Sequence, residues 1–168
     1  MNDEERTPPV LVGDERATLT SVLQRQRDTL RMKCVGLTAE QLRLRAAPPS
    51  ALTLLGLVRH LAEVERSWFR NVLNGEDTPL FLPRNEAGER TEFHVEEADV
   101  EQAFRTWDEA CARSRAIVEA AGSLDVTGSS GGRSYALHYI LAHMIEEYAR
   151  HNGHADLLRE AIDGAKGE

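Results

Sequence analysis

Apolar residues return every three or four positions along almost the whole of this sequence, and no β-branched run reaches strand length. A chain patterned this way buries its apolar side chains by packing helix against helix, so the class is all-α. A first helix is predicted over 14–35, with Leu19, Val22, Leu23, Leu30 and Cys34 inward and Gly36 placed to stop it. Thr38 to Gln41 has the spacing of a capping box for one short turn. The second main helix is expected from Thr53 to just before Asn74, with Leu54, Leu57, Leu61, Val64 and Trp68 on one stripe. Residues 75–97 are rich in proline, glycine and charge and read as a long crossover of the kind that joins parallel helices. Asp99 to Gln102 resembles a second capping box, opening a third helix through Ala121 with Val100, Phe104, Trp107, Cys111 and Ile117 inward. Thr127 to Gly132 reads as a flexible linker, and a final helix follows over about 134–162, with Gly153 as a point where it can kink. Four main helices in 168 residues suit a four-helix bundle forming a single domain over 1–168, with 1–12 as a flexible N-terminal arm.

Charge and composition narrow the function. Lys plus Arg number 20 against 28 Asp plus Glu, a net charge of −8, which opposes the basic face that a phosphate backbone requires. The longest apolar stretch, Leu52 to Val58, is about seven residues where a membrane span needs about 20. No basic segment followed by an apolar one opens the chain, so a cytoplasmic location is expected. Cys34 and Cys111 lie far apart and outside any Cys-x-x-Cys spacing, which fits buried packing thiols rather than a disulfide framework or thiolate cage. Trp68, Phe69 and Trp107 are read as core.

The histidines carry more information. On the last helix, at about 100° per residue, His143, Glu147, His151 and His154 fall within one sector of roughly 80° that Ile140 and Leu158 share. A carboxylate and imidazoles on an inward stripe need partners, and a divalent cation serves both. Glu147 and His151 stand one turn apart, close enough to converge on one ion. His60, at the edge of the second helix's stripe beside Leu57 and Val64, is the expected third ligand. Three protein ligands leave open positions, as a catalytic metal needs, and the set suits zinc while also matching iron or nickel. The bland reading sets His143 and His154 as satisfied rim groups, and Glu146 with Arg150 as a surface pair.

The segments Leu54-Leu55-Gly56-Leu57-Val58-Arg59-His60-Leu61-Ala62-Glu63-Val64-Glu65-Arg66 and His143-Met144-Ile145-Glu146-Glu147-Tyr148-Ala149-Arg150-His151-Asn152-Gly153-His154-Ala155-Asp156 resemble the DinB/YfiT-like superfamily, and within it an actinobacterial branch. The resemblance covers essentially the whole chain. It implies a four-helix bundle with a long crossover between the second and third helices and a divalent metal between the second and fourth. His60 matches the superfamily's histidine on the second helix, and Glu147 and His151 match the pair on the fourth. In many members the first of that pair is histidine; glutamate there is similar to the mycothiol-dependent maleylpyruvate isomerase branch. Gly153-His154 stands where Gly-Gln is common, so His154 replaces a neutral amide.

An open metal site either generates hydroxide or holds a coordinating thiol as thiolate. The resemblance favours the second: transfer of a low-molecular-weight thiol such as mycothiol onto a small-molecule electrophile, with His154 or His143 moving a proton or supporting the site. It also implies a homodimer as one assembly. A metal-dependent hydrolase and a non-catalytic, metal-stabilised binding or stress-response module are the alternatives.

Overall fold

The computed structural model describes residues 5–166. Its regular elements are helices apart from one two-stranded hairpin. Helix α1 spans Glu15–Cys34, α2 Ala39–Arg43, α3 Leu54–Glu65, α4 Val100–Ala120 and α5 Leu137–Asp163, with strands β1 (Thr127–Ser130) and β2 (Arg133–Ala136) between α4 and α5. Side chains close the helix starts by accepting from amides that lack an intrahelical partner: Asp14 from Ala17, Thr53 from Gly56 and Asp99 from Gln102. Thr38 and Gln41 form the expected reciprocal box. At the second expected box only the Asp99 half forms, because the Gln102 side-chain oxygen accepts from Arg105 instead. Among the described residues no helix is long and apolar enough to cross a membrane.

Helix α1 packs along α5 and α3 along α4, more extensively than α3 packs on α5. The core between them is aliphatic, with Leu23, Leu30, Leu54, Leu57, Leu61, Leu137, Ile140 and Leu141 all buried. Its centre is polar. Arg27 of α1 donates through Nε and Nη2 to both carboxylate oxygens of Glu65 on α3, at 2.8 and 2.9 Å. Tyr148 of α5 donates to Glu65 Oε1 at 2.9 Å and accepts from Trp107 Nε1 of α4 at 2.8 Å. Four helices therefore meet on one buried carboxylate. Burial alone would raise the Glu65 pKa, but the Arg27 guanidinium, with Ser114 and Tyr148, brings it below its ordinary value.

Several expectations are corrected. Residues 127–132 are not a loose linker: Gly131 and Gly132, both at positive φ, close a two-residue turn that pairs β1 with β2 in antiparallel register from Thr127 opposite Ala136 to Ser130 opposite Arg133. The hairpin is seated tightly, since a Cβ on Gly128 would lie 1.9 Å from the Val72 carbonyl oxygen. It also takes residues 134–136, so α5 begins at Leu137 and its first amides bond back to Val126 and Leu124. Helix α5 then runs through Gly153 without interruption. Helix α3 continues as a π-helix over Arg66–Leu73, and the buried stripe follows Leu61, Glu65, Phe69 and Val72, leaving Val64 and Trp68 half-buried.

Two irregular segments are pinned rather than free. Arg6 donates to Thr29, and the amides of Thr7 and Val10 donate to Asp28 and Ser21, along the N-terminal stretch expected as an arm; residues 1–4 of that stretch lie outside the described ones. The crossover between Leu73 and Val100 has no helix or strand, yet α3 holds it: Arg66 donates to the Thr78 carbonyl, Glu63 accepts from the Leu82 amide, and Arg59 donates to the His94 carbonyl.

Glu65→Gln leaves Arg27 buried without its counter-charge, an expected loss of about 3–5 kcal/mol in unfolding free energy by urea titration at pH 7. The sign of the pH effect follows from the lowered pKa. The pair's contribution is fully present above the ordinary carboxylate value of 4.5 and is lost as pH falls through the lower folded value, so the acid-side slope of stability shrinks in Glu65→Gln.

Candidate metal site

His60 points from α3 towards Glu147 and His151 on α5, and one ligand atom from each lies within 4.8 Å of the other two. Glu147 Oε2 is 3.5 Å from His151 Nε2, and the rings of His60 and His151 meet edge to face at 4.8 Å between centroids. All three side chains are partly accessible, between 13% and 18% exposed. A cation held there keeps a route to solvent.

The sequence set these groups on an inward stripe, and the structure moves them to its edge. At about 100° per residue, the buried arc of α5 is centred near Leu137, Met144, Tyr148 and Ala155; His143, Glu147 and His154 flank it, and His151 lies just inside its margin. The reason is the polar core: Tyr148, adjacent to Glu147, takes the inward direction to reach Glu65. The next face of α5 thus lines the seam with α3.

Electrostatics favour neutral imidazoles. Burial lowers the His60 pKa, while the Glu92 and Glu147 carboxylates oppose it. Burial, together with the neighbouring His60, holds His151 down at about 4. A neutral imidazole has a lone pair for a metal, and two imidazoles with one carboxylate form a donor set that zinc, iron or nickel accepts. These residues fit a divalent cation.

The other two histidines on this face surround the triad. His154 Nδ1 lies 3.4 Å from His151 Nδ1, on the side of that ring away from Glu147. His143 Nε2 is 3.8 Å from Glu147 Oε1, so Glu147 has an imidazole beyond each oxygen. His143 is covered by Trp68 at 4.5 Å and lies parallel to Tyr139 at 6.1 Å. Trp68, read as core from the sequence, is half-buried at this rim and meets Tyr135 of the hairpin at 5.2 Å. Phe69 and Trp107 are core as expected. His94 and His138 are exposed, and Arg150 pairs with Glu146, leaving Glu147 to face the histidines.

Three residues of the crossover were not anticipated. Phe93 stacks on His60 with 5.9 Å between centroids, Glu92 is buried with Oε1 3.8 Å from His60 Nδ1, and Arg90 donates to that same oxygen at 3.1 Å. No periodicity marks a loop residue, so the only sequence signal is an aromatic residue amid proline, glycine and charge.

Zinc titrated into chelator-treated protein is expected to bind at one site per chain and, at 100 times its Kd, to raise unfolding free energy by about 2.7 kcal/mol. His60→Ala, Glu147→Ala and His151→Ala should each abolish that rise. Calorimetry and thermal melts with and without chelator check this outcome.

A family model described as mycothiol S-transferase matches residues 18–164. No curated protein matches the chain. The family model spans α3, α5 and the crossover, and thus every residue placed around the triad. The chain belongs to the mycothiol S-transferase family, a DinB-like family.

Proposed function

We propose that this protein is a metal-dependent transferase that joins a low-molecular-weight thiol such as mycothiol to a small electrophile, with His60, Glu147 and His151 holding a divalent cation, zinc first. The observation that carries this reading is the convergence of those three donors within 4.8 Å in a chain of this family. The four long helices are read with it as a four-helix bundle forming one domain, working in the cytoplasm.

When bound, the cation supplies Lewis acidity and keeps a coordinating thiol as thiolate. The nucleophilic sulfur comes from outside the chain. Burial pushes the Cys34 thiol up to about 12, and burial followed by the Glu65 carboxylate raises Cys111 further, so neither is a thiolate at neutral pH. In the reaction the cosubstrate S–H bond breaks and sulfur bonds the electrophilic atom as that atom's bond to a leaving group breaks, or as its π bond opens, the released proton going to the departing group or to the other end of the opened bond. In this reading His143 carries it, a role supported by its half-buried position at the rim with Nε2 3.8 Å from Glu147 Oε1. His154 stands behind His151 and orients that ring through the contact between their Nδ1 atoms. Phe93 covers His60, Trp68 covers His143 beside Glu147, and the two rings limit water around the triad.

The test is consumption of mycothiol with an electrophile such as a monochlorobimane probe, read by fluorescence with and without chelator. Activity is expected only with both metal and thiol, lost by at least about 10³-fold in each triad variant and retained in Cys34→Ser. Full activity in all three triad variants would rule this mechanism out. Turnover of esters or amides without any thiol would instead identify a hydrolase.

A further inference from the structure

We infer that Glu92, in the crossover, is a positioning residue for His60: its carboxylate takes the Nδ1 proton side of the imidazole and leaves Nε2 free to bind a cation. The inference rests on the cation site proposed above and adds a residue that lies outside the helices forming it. Glu92 is 3% exposed, in a segment with no regular structure. A buried carboxylate is costly unless something charged or hydrogen-bonding meets it. Its Oε1 meets Arg90 at 3.1 Å and stands 3.8 Å from His60 Nδ1.

The segment is built to hold that carboxylate in place. Arg59, next to His60, donates to the His94 carbonyl, and Val95 is buried at 1%. Phe93 lies on the His60 ring and reaches it across Gly56, where a Cβ would come within 2.5 Å of the Phe93 ring. Position 56 therefore accepts only glycine while Phe93 keeps this place. Glu92 and Phe93 flank His60 at its Nδ1 side and on its face.

The consequence is a choice of tautomer. An imidazole that ligates through one nitrogen must carry its proton on the other, and a carboxylate 3.8 Å from the second nitrogen, too far for a hydrogen bond, biases the proton to that side by its charge. His151 has another imidazole at its rear nitrogen, whereas His60 has a carboxylate. The crossover is thereby part of the site, which explains why so long a segment stays tied to α3.

Zinc affinity is measured by competition with a chelator for wild type, Glu92→Gln and Glu92→Ala, and the His60 tautomer is read by ¹⁵N NMR of each cation-free protein. Glu92→Gln is nearly isosteric and keeps a neutral acceptor, so it remains informative if the alanine variant folds poorly. The expected result is a fall of 10- to 100-fold in affinity for Glu92→Ala and a smaller one for Glu92→Gln. His60 should carry its proton on Nδ1 in wild type and lose that preference in Glu92→Ala. Equal affinity in wild type and both variants, or weaker affinity with the His60 tautomer unchanged, overturns the inference and leaves the cation site standing. A wild type that takes up no cation ends the proposed site and the inference together.

Discussion

The Glu65 carboxylate holds the four long helices to one another. It is fully buried, takes both donors of Arg27 from α1 and the hydroxyl of Tyr148 from α5, and through that hydroxyl reaches Trp107 of α4. Such a pair contributes little net stability compared with apolar residues of the same shape, but its loss on one side is severe. Its value here is geometric. Five residues before Glu65 on α3 stands His60, and next to Tyr148 on α5 stands Glu147. The hydrogen bond between Glu65 and Tyr148 fixes how far apart α3 and α5 run, and with it the separation of the candidate ligands.

That arrangement explains the division of α5 into two faces. The buried arc satisfies the core, with Tyr148 in the polar network and Asn152 donating to the Gln26 carbonyl of α1. The flank carries His143, Glu147, His151 and His154 along the seam with α3, where packing is sparser and side chains keep some contact with solvent. A site for a small reactant needs both qualities: rigid backbones on either side, and donors that water or substrate can approach. The π-helical end of α3 adds the rim, placing Trp68 against His143 and receiving the hairpin at Val72 and at Trp68 itself.

Much of this was legible in the residues. The four long helices, their caps at Asp14, Thr53 and Asp99, and the pairing of Glu147 with His151 follow from spacing that local sequence encodes, while His60 joined them through its place beside the second helix's stripe and the family resemblance. The polar core was also signalled, though it is easy to pass over: Glu65 stands four residues after Leu61 and Arg27 four after Leu23, each in the middle of an apolar stripe. Opposite charges at two such positions announce a buried pair. The hairpin was hidden because its strands, Thr-Gly-Ser-Ser and Arg-Ser-Tyr-Ala, lack apolar alternation; Gly131-Gly132 was its single cue. The part played by Glu92 had no cue and that of Phe93 only its aromatic character, since a loop residue's neighbours are decided by tertiary packing and not by period.

The account rests on three side chains from two helices gripping a single cation. Crystals of the zinc-loaded protein, with diffraction recorded on either side of the zinc absorption edge, test this most directly. One anomalous peak about 2 Å from donor atoms of His60, Glu147 and His151 is the predicted result. Zinc bound by other residues, or no peak in the seam between α3 and α5, would contradict it.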